Sequence, residues 1–192
     1  MNKYSAENIS RIGNAAIYIA QHSTNLSKTK LLKLLYLMEE RSALRYHQPF
    51  LGLPYEVWQA GPVAKDVYID ISDGGIMLSP YIKVVNDKDA QYIIPAKEFD
   101  DEDFSENELR LMDEVLAEYG DKAAKELVRI THTKGSLWYN VAKQHGLLEA
   151  FEKHESNNSN YVINFANGLT PCSAEYYNEA LELHNASNAY TL

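Results

Sequence analysis

Ser27 to about Tyr46 constrains this chain more than any other segment. Leu31, Leu34, Leu35 and Met38 repeat at i, i+3, i+4 and i+7, the spacing of one helix face. Leu32 and Leu37 fall outside that stripe and widen it. A surface helix needs one apolar face, whereas this pattern predicts a helix buried on more than one side. The remaining elements must then pack around it. Pro49, Gly52 and Pro54 end regular structure just beyond.

The flanking sequence supplies further helices. Ile9, Ile12, Ala16 and Ile19 predict one from Ser5 to about His22, with Ser5 as N-cap. Tyr55–Trp58 reads as a short extended segment. Gly61-Pro62 reads as the start of a helix through Val67 and Ile71, with proline in its first turn and a stop at Gly74-Gly75. Tyr81–Val85 and Gln91–Ile94 are β-prone and flank the turn-like Asn86-Asp87-Lys88-Asp89, so they read as a hairpin. After a polar loop, Asp100 to Phe104, Ser105 and Glu108 form a capping box before a helix carrying Leu109, Met112, Leu116 and Tyr119. Gly120 ends it, and Asp121 is placed to cap the next, with Ala124, Leu127, Val128 and Thr131 inside. Gly135-Ser136 is a break before a short helix, Leu137 to about Lys143. Glu155 to Asn160 reads as a polar linker, Tyr161–Phe165 as strand-like, and Ser173 to about Asn185 as a last helix. The expected fold is mainly α, a compact helical domain with one small antiparallel β-hairpin.

At 192 residues and 45% hydrophobic composition the chain has the size of one domain and needs no staple. The lone cysteine, Cys172, cannot close an intrachain disulfide and reads as structural or partly buried. No apolar run approaches a bilayer span, and Met1 to Arg11 lacks the apolar core of a secretory signal, so a cytoplasmic location is expected. Net charge is −9, which argues against general binding to nucleic acid or anionic membranes. That charge is uneven. Lys3, Arg11, Lys28, Lys30, Lys33, Arg41 and Arg45 make the first fifty residues basic, whereas Glu98 to Asp121 is strongly acidic. The acidic stretch reads as a loop followed by a solvated helix face. Alternatively it is a patch that steers a basic partner.

Recognisable chemistry is sparse. The six histidines show no HExxH spacing, and there is no Walker A, GxGxxG or GxSxG sequence. Neighbouring Glu39 and Glu40 point about 100° apart on a helix, so they read as surface charges and not as an acid–base pair. No catalytic residue, cofactor or metal site is expected. Two aromatic segments stand out, Tyr55–Val63 with Trp58, and Thr131–Tyr139 with Trp138. Such tryptophans are core plugs or binding anchors, and the core is the commoner place for them.

Four segments in order carry a family resemblance. They are Lys30-Leu31-Leu32-Lys33-Leu34-Leu35-Tyr36-Leu37 with Glu40-Arg41; Tyr46, Pro49 and Gly52; Gly61-Pro62-Val63 with Val67-Tyr68; and Thr131-His132, Lys134-Gly135-Ser136 and Trp138. Together they resemble the Panacea domain, the antitoxin family that includes SocA-like and phage-associated GepA-like proteins. The resemblance spans roughly Ser5 to Lys143, with His47 where a glycine is common. It implies a bacterial antitoxin, not an enzyme, that binds a toxin encoded beside it. The alternatives it implies are a SocA-like adaptor that delivers a toxin to a protease, or a phage-associated regulatory binding protein. Residues 1–154 would form the antitoxin domain and 155–192 a C-terminal extension packed on or appended to it. Candidate toxin contacts are Tyr36, Arg41, Trp58, Gly61, Pro62 and Trp138, with Asp100, Asp101, Glu102 and Asp103 as an electrostatic surface.

Overall fold

A computed structural model describes residues 4–87 and 90–189. The helices are α1 (Ala6–His22), α2 (Lys28–Tyr46), α3 (Lys65–Ser72), α4 (Glu106–Tyr119), α5 (Ala124–Thr131), α6 (Leu137–Gln144), α7 (Leu147–Glu152) and α8 (Pro171–Ala189). The strands are β1 (Tyr55–Trp58), β2 (Gly61–Ala64), β3 (Ile82–Asp87) and β4 (Ala90–Pro95). A 3₁₀ turn, Phe165–Gly168, precedes α8. Among the described residues no helix is long and apolar enough to cross a membrane.

α2 is the axis. Every residue from Lys30 to Glu39 is buried, so the widened leucine stripe reports true all-round burial. α1, α3, α4, α5, β2 and the 3₁₀ turn all lie against it. Its start is set by Ser27, whose Oγ accepts the Lys30 N–H. Its end is set by His47, in the left-handed region at φ 54°. The Ser5 cap and the Ser105–Glu108 capping box are present as the sequence predicts.

The chain forms two hairpins where the sequence predicted one. The predicted pair, β3–β4, is antiparallel with Val84 opposite Ile93; its Lys88-Asp89 turn lies outside the described residues. The second is β1–β2, so Gly61-Pro62 does not begin a helix. Gly61 sits at φ 96°, outside helical conformation, and Pro62 pairs opposite Val57. The helix starts only at Lys65. Asp121 likewise caps nothing: a turn at Gly120–Lys122 intervenes, and Ala123 precedes α5 without a side-chain cap. Cys172 is free and exposed in the first turn of α8, not partly buried.

The polar Glu155–Asn160 segment leads into a stretch bonded along the outer edge of β1. The Gln59 N–H donates to Asn157 O, the Val57 N–H to Tyr161 O, and the Ile163 N–H to Tyr55 O. Ile163, Phe165 and Tyr177 then enter the same core as α2, where Phe165 meets the Tyr36 ring at 5.7 Å.

The uneven charge is in part an internal contact. Arg11 donates to the carbonyls of Asp103 and Phe50 and pairs with Glu108 at 2.5 Å. Arg41 pairs with Glu118 at 2.5 Å, and Arg45 with Glu114. The acidic loop and α4 are thus clamped to the basic α1 and α2. Arg11 is 17% exposed and serves several acceptors, whereas Arg45 is 52% exposed and serves one carboxylate. Arg11→Ala should therefore lower unfolding free energy by about 2–3 kcal/mol in urea titration. Arg45→Ala should change it by about 0.5 kcal/mol or less. Equal losses in the two variants would contradict this ranking.

Candidate functional site

Three of the four sequence segments meet around one side chain. Lys33 lies at the middle of α2, 1% exposed, and its Nζ donates to the Pro62 carbonyl at 2.8 Å. That bond ties the β1–β2 hairpin to the axial helix. Burial pulls the Lys33 amine down to about 7, because an ammonium loses its hydration there. Gly61 is required beside it. A Cβ at Gly61 would stand 2.6 Å from Lys33 Cε and 2.9 Å from Thr131 Oγ1.

The α5–α6 junction closes the other side. Ser136 Oγ donates to Thr131 O at 2.7 Å and accepts the Tyr139 N–H, capping α6. His132 stacks on Trp138 with ring centroids 3.7 Å apart. Desolvation, and secondarily the Lys33 charge, lowers the His132 imidazole to about 4. Its Nε2 is buried without a partner among the described residues. Trp138 Nε1 donates to the Trp58 carbonyl at 3.0 Å, linking this junction to the hairpin.

A turn further along α2, Glu39 is 1% exposed and corrects the surface reading of that residue. Its carboxylate accepts the N–H groups of Phe50, Leu51 and Gly52 at 2.9, 2.9 and 3.4 Å. Burial raises it to about 7 against the lowering effect of those bonds. Glu40 is different: it accepts the Tyr36 hydroxyl at 2.7 Å.

Trp58, Gly61, Pro62 and Trp138 are therefore brought together. Gly61, Pro62 and Trp138 are buried, while Trp58 is half-buried. The Trp58 indole donates to Glu56 at 2.9 Å and meets the Tyr68 ring edge-on. Tyr36 is buried against Tyr55 and Phe165. Arg41 lies on another flank of α2, paired with Glu118 and over the Tyr119 ring. Asp100, Asp101 and Glu102 are exposed. Asp103 is partly buried and accepts from Ser10 at 2.6 Å and Asn14 at 3.3 Å.

A family model described as antitoxin SocA-like, Panacea domain, matches residues 31–139, more than half of the 192 residues. The chain belongs to this family. Comparison with curated proteins and with solved structures finds no match. The matched stretch runs from Leu31 on α2 to Tyr139 on α6 and contains every residue of the Lys33 cluster. Lys33 and His132 are central to this Panacea domain, yet neither is among the contacts expected from sequence. A lysine inside a leucine run was the available signal for the first. Nothing in the order of residues brings the second beside Lys33.

The Lys33 amine gives a pH test. In the fold it is neutral above about 7, while its ordinary value is 10.5. The unfolded chain thus binds more protons across that window, and stability rises with pH there, by up to about 1.4 kcal/mol per unit from this group. Below about 7 both states bind the proton, so the slope from this group vanishes and its burial penalty is complete. Unfolding free energy measured from pH 7.5 to 9.5 should climb in the wild type and lose that slope in Lys33→Met. An unchanged slope would show that Lys33 is not buried as described.

Proposed function

We propose that this chain is the antitoxin of a toxin–antitoxin pair and neutralises a cognate protein toxin by direct binding. The observation that carries the reading is the family match over residues 31–139. The geometry supports a binding role and suggests its surface. Of the four clustered motif residues, Trp58 alone is half-buried, and its backbone is held by Trp138 and by pairing with Gly61. Half-buried tryptophans fixed by their surroundings are favoured anchors in interfaces. Asp100, Asp101 and Glu102, exposed beside the internally bonded Asp103, supply a negative surface suited to a basic partner. Tyr36 and Arg41 act, in this reading, as internal supports of that surface. No chemical step is assigned to the chain.

The test is co-expression of the adjacent open reading frame with and without this chain. Toxicity alone, rescue together and co-purification are expected. Persistent toxicity at verified protein levels would overturn the reading. A toxin level that falls only where a protease is active would replace masking with delivery. In the purified pair, Trp58→Ala should weaken binding at least tenfold, about 1.4 kcal/mol, with little change in melting. Lost melting with intact affinity would assign Trp58 to the core.

A further inference from the structure

A cavity of about 500 Å³ lies between α1, the loop after α2, the stretch preceding α8, and α8 itself. That volume lies within the range of small-molecule sites. Its walls include Leu53, Ile163, Phe165 and Leu181. Two polar side chains also line it from deeply buried positions: Asn8 is 4% exposed and Tyr177 is 2% exposed. Among the described residues the Asn8 amide and the Tyr177 hydroxyl make no side-chain hydrogen bond, and neither is sealed off within the protein, so both are open to the cavity. Asn164, whose side-chain oxygen accepts the Ala166 N–H at 2.9 Å, lines the cavity as well.

Polar groups that open onto a cavity and have no partner in the chain are free to bond a ligand or water there. The chemistry of the lining selects which ligand. No Asp, Glu, Lys, Arg or His is among the described residues that line the cavity. A charged ligand would find no counter-charge there. Amides offer a donor and an acceptor side by side, the pattern that matches the edge of a heterocyclic base. Aromatic walls accept a flat ring by stacking.

We propose that this cavity is a binding site for an uncharged, flat heteroaromatic molecule of nucleobase or nucleoside size, held by the Asn8 amide, the Tyr177 hydroxyl and the Phe165 wall. The site is separate from the Lys33 cluster and stands independently of the toxin reading.

Titration calorimetry of the full chain against adenosine, guanosine, cytidine, uridine and thymidine tests it. At least one nucleoside should bind saturably, and its 5′-monophosphate should bind no more tightly. Asn8→Leu and Tyr177→Phe should each weaken that nucleoside at least tenfold while melting within a few degrees of wild type. Tyr177→Phe keeps the test valid if Asn8→Leu does not fold. Absence of binding by all five nucleosides would overturn the proposal. So would binding that both folded variants retain, or binding tightened by the phosphate.

Discussion

The structure depends on a helix that is buried all the way round. Ten consecutive residues of α2, Lys30 to Glu39, have almost no contact with solvent. An apolar helix in that position is ordinary, but this one carries a lysine and a glutamate into the interior. Each would cost several kcal/mol if left unpaired. Each instead reaches backbone from another segment. Lys33 holds the carbonyl of Pro62, and Glu39 holds the three N–H groups that follow α2. The two ionisable groups therefore act as fixing points. One sets the hairpin that carries Trp58, and the other sets the exit of α2 into that hairpin. α8 is fixed through the same loop, where His184 Nε2 donates to Leu51 O at 3.1 Å.

Charge works at a second level. The basic α1 and α2 and the acidic residues 98–121 look like two independent surfaces along the sequence. In space, Arg11, Arg41 and Arg45 draw α4 and its preceding loop onto the axial helices. The net −9 is thus carried by what this pairing leaves over, including Asp100, Asp101 and Glu102. A partner meeting that loop meets a negative surface on a fixed support, because Arg11 and Ser10 hold Asp103 from within.

Most helices were legible because their signals are local. Ser5, Ser27 and Ser105 cap where their side chains indicate, and the leucine stripe of α2 announces its burial. The failures share a different cause. Gly61-Pro62 resembles a helix start by composition, but Gly61 takes a positive φ in the β1–β2 hairpin, and Lys33 and Thr131 leave little room there for a Cβ. Glu39 looks like a surface charge until its three backbone donors are known, and those come from a loop eleven to thirteen residues on. The candidate contacts do not form one group in space. Trp58, Gly61, Pro62 and Trp138 do cluster, whereas the acidic loop packs on α1, and Tyr36 is enclosed by Tyr55 and Phe165. Clustering of that kind is a tertiary property, and no spacing rule within one segment reveals it.

Amide hydrogen exchange on the free chain tests the axial role of α2 most directly. The amides of Leu31 to Met38 should exchange last, and only through global unfolding, with an opening free energy equal to that from urea titration. Exchange of those amides before α4, or at a sub-global free energy, would contradict the account: α2 would then be one packed element among several and not the helix on which the others depend.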